Sequence, residues 1–568
     1  MLLYDFLYIF WTSTFLYFFE AIYFLFSCFT VGWAGNFLSS YIFLILIAFL
    51  LFHHDSAPAP TTPMSNAITA NTFVGQVTII FLKFTFLLTI FLLALHNAGV
   101  TPRDFATPFW GIFEANRVWG TVQLFEISFM DHFAPLYMRE RGAMYYGHAH
   151  FFGLDLYDIA ARHFVVTPAG ILLTGLTTFL YTILLYSLTT PTIRTKYFYF
   201  FYLISLCSLL VCFLTSNFFI FYLSFEFILI PFFVIVGVWG SRPQRLGAAL
   251  RLVFFTVLFS LPLVTIIFIN LVGGNFSFDF SMLNSTLFPI GYHFNYLFYI
   301  ASFLAFAVKI PLFPAHVWLP EAHGEAPTFG SVLLAGILLK LGGYGFLRVG
   351  YPLFNDFSFD SCINFFPLVY TISILTILYS NFSVFVQVDI KKTIAYYSIG
   401  HIGFVTLGLA TGAFEGYKGA MAIIIAHGLS AAGLFFAVGY LYEKTHTRAL
   451  FAYRGVATTA PLFSFFFFLF ICANIGLPGT INFAGEQLVL ISLIKYSPVA
   501  AVLPILGILL NGISSILFIN RILFGETNPL VVENIQDLKP NEILVYGLVA
   551  SPLIFFGFFP LFFVELLY

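Results

Sequence analysis

The chain has 568 residues, of which 60% are hydrophobic and only 8% are charged, with a formal net charge of −2. Its mean hydropathy is +0.97, whereas soluble domains carry about 25% charged residues. These values exclude a soluble globular protein and predict a polytopic membrane protein, while the near-neutral net charge indicates no particular partner.

Redox and nucleotide motifs are missing from the sequence. The five cysteines are scattered and form no CxxC pair, which excludes iron–sulfur and zinc-ribbon sites. The chain has no GxGxxG and no GxxxxGK[ST] motif. Its energy source is therefore expected to be an ion gradient or a partner subunit. The 80 phenylalanines and 31 tyrosines are typical of the T-rich codon usage of organelle genomes, which favours an organelle gene.

Three apolar segments open the chain, near 6–28, 36–52 and 73–95. The first opens directly after Asp5 and has no basic residue, so we expect a retained segment and not a cleavable signal or transit peptide. Glu20 and Lys83 lie in these segments. Either the two side chains face each other, or the segment 73–95 with Lys83 is interfacial or does not fully span the membrane. Residues 96–165 then hold 12 of the 48 charged residues and predict a folded extramembrane insert.

From residue 168 onward, apolar segments follow one another closely, each near the length of about 20 residues that spans a bilayer as a helix. They lie near 168–188, 197–215, 217–239, 247–272, 296–319, 328–350, 363–384, 391–412, 416–442, 460–494, 498–523 and 543–566. We therefore expect an all-α polytopic protein of about 14–15 transmembrane helices. The predicted divisions are 1–95 (N-terminal helices), 96–165 (insert), 166–350 and 351–525 (two halves of the helical region) and 526–568 (C-terminal loop and last helix).

Loop charges orient these helices. If the side reached after the 168–188 segment is called side X, eleven basic loop residues fall on X and three on the other side. The eleven are Arg194, Lys196, Arg242, Arg245, Lys391, Lys392, Lys444, Arg448, Arg454, Arg521 and Lys539; the three are Arg348, Lys418 and Lys495. This positive-inside asymmetry makes X the matrix or cytoplasmic face. The insert and the C-terminus are expected on the opposite face.

The stretch Phe306–Gly345 places Lys309 and Lys340 inside successive apolar segments, on either side of a proline-rich connector. A charge at the bilayer centre costs about 2.5–3.5 kcal/mol, so two lysines beside a broken helix predict a polar path through the membrane. The segment 472–486, CANIGLPGTINFAGE, is a second span broken by Gly and Pro, and it carries Glu486. Paired interrupted helices of this kind indicate an ion site between two inverted repeats.

Glu226 lies a third of the way along another apolar span. It is either exposed at the membrane interface or, as we predict, a buried carboxylate paired with Lys309. Moving this carboxylate away would let Lys309 release its proton, so the pair would act as a switch. Lys340 either snorkels to an interface or, as its mid-span position favours, carries a proton in the protein interior.

Two histidines within spans extend the predicted path. His401 and His427 are side chains of a type that titrates near neutral pH, although each could instead be a hydrogen-bonded core residue. With Glu486 they predict a line of carboxylate, lysine, lysine, histidine and carboxylate across the protein.

The connector between the two lysines is rich in polar side chains: His316, Glu321, His323 and Glu325. These four could hold a metal, but their mixed charges favour a polar network near side X. Asp389 and Lys392, at the X end of a later span, are expected to have a supporting role. The spacing of His148 and His150 in the insert is weak evidence for a metal site, and we expect a solvated surface there.

Five segments, in order along the chain, resemble one protein family. They are YLSFEFILIPFFVIVGVWG, FAVKIPLFPAHVWLPEAHGEAPTFGSVLLAGILLKLGGYG, QVDIKKTIAYYSIGHIGF, HGLSAAGLFFAVGYLYEKTHTR and ANIGLPGTINFAGEQLVL. Together they are similar to the antiporter-like subunits of respiratory NADH:ubiquinone oxidoreductase (complex I) and to the related multisubunit cation/proton antiporters. The resemblance covers about 165–568, and the preceding residues exceed what the family needs. We expect the insert to contact a lineage-specific subunit in the intermembrane space.

The resemblance implies a role for each intramembrane charge. The implied positions are Glu226 on the fifth family helix, Lys309 on the broken seventh, Lys340 on the eighth, His401 and His427 on the tenth and eleventh, and Glu486 on the broken twelfth. In this family, quinone reduction elsewhere in the complex is coupled to proton uptake from the matrix and release across the membrane. The family fold has fourteen helices, with two inverted five-helix repeats that contain discontinuous helices.

The resemblance also implies cofactors, partners and location. This chain is expected to bind no cofactor or metal, since FMN, iron–sulfur clusters and ubiquinone belong to other subunits of the complex. Its expected partners are other membrane-arm subunits, including neighbouring antiporter-like subunits, and lipids such as cardiolipin, but not nucleic acid. The expected location is the mitochondrial inner membrane. The alternatives are a stand-alone cation/proton antiporter, which the organelle-like composition disfavours, and a membrane scaffold, which the number of intramembrane charges disfavours.

Overall fold

The computed structural model describes residues 150–151, 154–155, 167–187, 196–272, 280, 292–350, 366–528, 531–532 and 535–567. The three predicted N-terminal spans, with Glu20 and Lys83, lie outside these residues, as does most of the insert with His148. The described part of the insert is a two-stranded antiparallel hairpin of β1 (His150–Phe151) and β2 (Leu154–Asp155). All other regular elements in the described ranges are helical.

The first half of the helical region contains nine α-helices and two π-helical turns within the described residues. The α-helices are α1 (Pro168–Ser187), α2 (Lys196–Leu214), α3 (Phe218–Phe227), α4 (Leu229–Trp239), α5 (Arg245–Val272), α6 (Tyr292–Lys309), α7 (Trp318–Glu325), α8 (Thr328–Leu333) and α9 (Leu339–Gly345). The π-helical turns are Leu334–Leu338 and Phe346–Gly350, on either side of α9.

The second half continues with nine further α-helices in the described residues. They are α10 (Phe366–Val386), α11 (Ile390–Ala410), α12 (Phe414–Thr445), α13 (Val456–Thr459), α14 (Pro461–Ile475), α15 (Ile481–Tyr496), α16 (Val502–Leu523), α17 (Pro540–Phe558) and α18 (Pro560–Glu565). Short 3₁₀ turns occupy Leu450–Ala452 and Pro498–Ala501.

The described residues contain ten helical segments that are long and apolar enough to cross a membrane. Two further spans are interrupted, with α6 followed by α7 and α14 followed by α15. A helix is the form that satisfies every backbone N–H and C=O inside hydrocarbon without a partner strand, which is why each apolar run folds this way. All twelve spans predicted after residue 168 are thus present as helices, and the all-α polytopic membrane fold is confirmed.

Proline and glycine determine where the two interrupted spans break. Helix α6 ends at Lys309, just before Pro311 and Pro314, which have no N–H to continue the ladder. Helix α14 ends at Gly476, whose φ of +77° is a left-handed cap that glycine adopts without strain. Backbone that leaves the helix at membrane depth must be buried in protein or line a wet cavity. Both breaks are therefore expected next to polar side chains.

The helices that carry the predicted charges form the centre of the described structure. The apolar window of α12 is entirely buried, and those of α11 and of the α8–α9 segment are each 94% buried. The corresponding values for α16 and α17 are only 39% and 28%. Lys340, His401 and His427 therefore lie on inner helices, while the outer helices expose large apolar side chains on the surface.

Candidate functional site

Lys309 is fully buried at the end of α6 and contacts the turn that precedes Glu226. Its Nζ donates a 3.0 Å hydrogen bond to the carbonyl of Phe225 and lies 4.4 Å from the centre of the Phe225 ring. Pro231, which cannot donate a backbone hydrogen bond, follows in the same span, and the span divides into α3 and α4 at Ile228. The predicted partners are thus brought together, but through the backbone of one of them.

The Glu226 carboxylate itself is not within 4.0 Å of the ammonium of Lys309, since no ion pair joins them among the described residues. Its Oε1 is buried and has no hydrogen-bond partner. The side chain lines a cavity of about 670 Å³ whose other walls are apolar residues of α4 and α5, among them Leu229 and Val257. In this conformation Glu226 and Lys309 are neighbours, but their charged groups do not form an ion pair, which we call the open arrangement.

Lys340 is buried immediately after the first π-helical turn. Its Nζ donates to the carbonyl of Ala335, at 2.5 Å, and is 2.8 Å from Nδ1 of His427. The π-helical geometry, which is frequent at functional sites, places Ala335 within that turn. Gly428 allows this contact, because a Cβ there would lie 3.0 Å from the carbonyl oxygen of Gly336 and 3.3 Å from Cε of Lys340.

His427, His401 and Glu486 follow Lys340 as a row of neighbouring buried side chains. The rings of His427 and His401 have centroids 5.6 Å apart, and Nδ1 of His401 is 3.5 Å from Oε1 of Glu486. All three side chains are buried, at 1%, 3% and 3% exposure. Gly476 at the α14 break makes room for the carboxylate, since a Cβ on this glycine would lie 2.7 Å from Oε2 of Glu486.

The sites at Lys309 and Lys340 are neighbours through the backbone. A Cβ on Gly342, two residues after Lys340, would lie 3.1 Å from Cβ of Lys309. The end of α6 therefore packs directly against α9.

The connector after α6 holds its polar residues in three different environments. His323 is fully buried, stacks on the Phe435 ring at a centroid distance of 4.6 Å, and has no partner for either ring nitrogen. His316 packs between the rings of Phe313 and Tyr379. Glu321 pairs with Arg251 at the X end of α5. The described residues contain no group of three or more His, Cys, Asp and Glu side chains that could hold a metal.

Two predicted residues, Glu325 and Asp389, belong to a buried charge network at the X ends of the helices, whose other members were not predicted as site residues. Arg448 is only 2% exposed, and its guanidinium lies 3.5 Å from Oε1 of Glu325 and 3.7 Å from Oδ2 of Asp389. Lys391 is also buried and donates to the carbonyl of Ala326 at 2.9 Å. In the sequence, Arg448 and Lys391 look like ordinary loop charges, because nothing in a linear pattern distinguishes a buried basic residue from a solvated one.

This network, defined by Arg448, Glu325, Asp389 and Lys391, joins the two halves of the helical region. Glu325 ends the first broken span, whereas Asp389 caps α11 by accepting from the N–H of Lys391 at 3.0 Å. The backbone carbonyl of Arg448 accepts from the N–H of Ile390 at 3.0 Å. The predicted supporting residue Lys392 lies beside it, with Cε 3.4 Å from where a Cβ on Gly324 would be.

Comparison with known proteins places this geometry in a family. The transmembrane family described as NADH:quinone oxidoreductase/Mrp antiporter matches residues 215–511, which is more than half of the chain and includes every residue from Glu226 to Glu486. The chain belongs to this family. The resemblance predicted from the five sequence segments is thereby confirmed.

Individual relatives extend the family match. NADH-ubiquinone oxidoreductase chain 4 of Marchantia polymorpha is 40% identical over 358 residues, which is 63% of this chain and 71% of that protein. In the respiratory complex I of Thermus thermophilus with bound NADH, a chain 27% identical matches with a TM-score of 0.63, over 71% of this chain and 86% of that chain. The Mrp complex of Dietzia sp. DQ12-45-1b has a chain that matches with a TM-score of 0.63 at 17% identity, over 71% and 83% of the two chains. This last match shows a shared fold alone.

Proposed function

We propose that this chain is a proton-translocating subunit in the membrane arm of respiratory NADH:ubiquinone oxidoreductase, and that the electron-transfer centres, FMN and iron–sulfur clusters, are in other subunits. The observation that carries the proposal is the buried line from Lys340 through His427 and His401 to Glu486. Chains of titratable groups in membrane proteins form proton relays. A scaffold would not need four titratable side chains in contact at the costly bilayer centre.

Lys340 and His427 provide the central step. When Lys340 is an ammonium, it donates to the lone pair of His427 Nδ1, which leaves the His427 proton on Nε2. That nitrogen has no partner among the described residues. The His427 ring is 87 positions from Lys340 in sequence, and its centroid lies 5.6 Å from that of the His401 ring. A water molecule between the two imidazoles would complete the relay, since waters bridge polar groups with little loss of hydrogen-bond strength.

Glu226 and Lys309 would control the charge on this line. Two unit charges 4 Å apart interact by about 4 kcal/mol at an effective dielectric constant of 20. Closing the gap between the Glu226 carboxylate and Lys309 would hold the lysine as an ammonium, and opening it would favour release of a proton toward Lys340. The free Oε1 of Glu226 and the backbone bond of Lys309 correspond to the open arrangement.

Proton uptake would begin at side X, the matrix face. His323 is buried between the charge network at Arg448 and the Lys340 site, and its two unpartnered nitrogens suit it to accept and donate through water. Glu325, Asp389 and Lys392 would support this entry by holding the loops.

The setting of the proposed function is the mitochondrial inner membrane. Neighbouring antiporter-like subunits and other membrane-arm subunits would cover the exposed apolar faces of the outer helices, together with lipids such as cardiolipin. The phenylalanine-rich composition supports a mitochondrial gene.

The competing function is a stand-alone cation/proton antiporter, because the family includes Mrp proteins. Purification of the native membrane complex through this chain separates the two. We expect NADH oxidation with flavin and iron–sulfur signals to accompany the chain through the purification. Migration of the chain apart from these signals would contradict the proposed function.

Replacement of Arg448 by glutamine is expected to weaken the assembled protein. It would leave Glu325 and Asp389 without their buried guanidinium, and breaking a buried ion pair from one side costs about 3–5 kcal/mol. The temperature of half-inactivation of NADH:ubiquinone activity should fall in membranes that carry Arg448→Gln. Arg454→Gln, which removes an exposed arginine six residues later, is the matched control. An unchanged inactivation temperature in the first variant would contradict a structural role for the network.

A further inference from the structure

His401 has a different partner on each ring nitrogen. Nε2 lies 3.0 Å from Oδ1 of Asn474, and Nδ1 lies 3.5 Å from Oε1 of Glu486. Both partners are buried, at 2% and 3% exposure. The two contacts therefore persist without competition from bulk water.

The partner at Nε2 determines which nitrogen can exchange a proton. An amide oxygen accepts hydrogen bonds but cannot donate one, so the proton on His401 must reside on Nε2 whenever the ring is neutral. Nδ1 then carries the lone pair and faces the carboxyl group of Glu486. The second nitrogen of a histidine commonly sets the tautomer in this way.

Asn474 is held with its oxygen toward the ring. Its Nδ2, at the other end of the side-chain amide, lies 3.5 Å from Oγ of Ser515 on α16. Its backbone carbonyl accepts from Nδ2 of Asn511 at 2.9 Å. Asn474 is also the last residue but one of α14, so the helix break fixes its position.

We propose that Asn474 is a positioning residue that holds His401 in the Nε2–H tautomer, so that the imidazole exchanges its proton with Glu486 through Nδ1 alone. This inference rests on the proposed proton path. Asn474 was not among the predicted site residues, since asparagine does not titrate and only its contact with the ring reveals it.

The consequence is a relay that returns to its starting state without a ring flip. A proton that reaches Nδ1 makes an imidazolium, and the same proton then passes from Nδ1 to Oε1 of an ionised Glu486. The N–H bond at Nδ1 breaks, an O–H bond forms, and the ring is again neutral with Nε2–H. Without Asn474, the neutral ring could hold its proton on Nδ1 and present no lone pair to the incoming proton on that side.

The charged and titratable groups that face His401 are few. Glu486 approaches from α15, and His427 approaches from α12 with Lys340 bonded behind it. Helices α14 and α16 contribute the neutral side chains of Asn474 and Ser515. If a substitution beside His401 changes the pH dependence of pumping, the titrating group is therefore His401, Glu486, His427 or Lys340.

The test uses the assembled complex in proteoliposomes, with the ratio of protons translocated to electrons transferred measured across a pH series. Asn474→Leu keeps the approximate volume but removes the acceptor, and we expect the ratio to fall to that of Glu486→Gln. Asn474→Asp keeps an acceptor at Nε2, and we expect the ratio to be retained. The pH profile of this ratio should differ from that of the unmodified complex, because a carboxylate at this position adds a charge beside the imidazole.

Asn511→Leu is the matched control. It removes the bond to the Asn474 backbone without touching the imidazole, so it reports a loosened helix break through lower complex abundance, with an unchanged pH profile. If Asn474→Asp behaves like Asn474→Leu, the amide acts as a donor to Nε2 and the inference is overturned.

Two further outcomes separate the inference from the proposed function. If Asn474→Leu keeps the ratio and pH profile while Glu486→Gln loses pumping, the inference alone fails. If Glu486→Gln itself keeps the ratio, the proposed proton path fails and the inference with it.

Discussion

Replacement of Lys340 by methionine is expected to abolish proton translocation coupled to quinone reduction while leaving the complex assembled. Lys340 is the only group in contact with His427 Nδ1 among the described residues, so its loss interrupts the line at its centre. Methionine nearly conserves the side-chain volume, and volume-conserving substitutions in a core are the ones tolerated best. Loss of a positioned proton-transfer group lowers rates by about 10²–10⁴-fold. The measurement is the proton-to-electron ratio in proteoliposomes, with complex abundance determined in parallel.

Lys495→Met is the control for this experiment. Lys495 is an exposed lysine in a surface ion pair with Glu415, and exposed pairs contribute only about 0–1 kcal/mol. We expect its variant to pump normally. A Lys340→Met complex that assembles and pumps with an unchanged ratio would show that the buried lysine is structural.

Separating the pair near the first break is expected to produce a comparable loss. Glu226→Gln removes the charge that would hold Lys309 as an ammonium, and Lys309→Met removes the proton carrier. Each single variant should lose coupled pumping, and the double variant should be no worse than either, because groups that act as one unit are not additive. The three variants are compared by proton-to-electron ratio at equal rates of NADH oxidation.

Glu415→Gln provides the matched control, since it removes an acidic partner of a lysine at the surface of the same chain. Its ratio should equal that of the unmodified complex. Additive losses in the Glu226→Gln, Lys309→Met double variant would indicate two independent functions and would contradict the switch.

Much of the fold could be predicted from the sequence because hydrocarbon imposes simple rules. Apolar runs of bilayer length must be helical, and the twelve predicted after residue 168 are all present in the described residues. Prolines and glycines at 311–314 and 476–479 identified the two breaks, since these residues end backbone ladders whatever surrounds them. Loop charges gave an orientation for the same reason, because the rule depends on counts and not on contacts.

The structure brings several of the predicted site residues together, but through connections that the sequence did not indicate. Lys309 was expected to pair directly with the carboxylate of Glu226, yet it bonds to the preceding carbonyl. Lys340 had no evident partner in sequence, and its partner His427 lies 87 positions away. Arg448 and Asn474 were missed altogether, because one resembles a loop charge and the other a neutral core residue.

The sequence by itself thus determined the membrane, the helices, their breaks and which charged residues lie within the apolar spans. Each of these follows from the local cost of leaving an apolar group in water or a polar group in hydrocarbon. Only the tertiary structure decided which charges touch, which ring nitrogen of His401 faces Glu486, and that loop residue Arg448 is buried between the two halves. Those facts depend on the packing of helices that are distant in sequence, and hydrogen bonds are sensitive to displacements of a fraction of an ångström that no sequence pattern encodes.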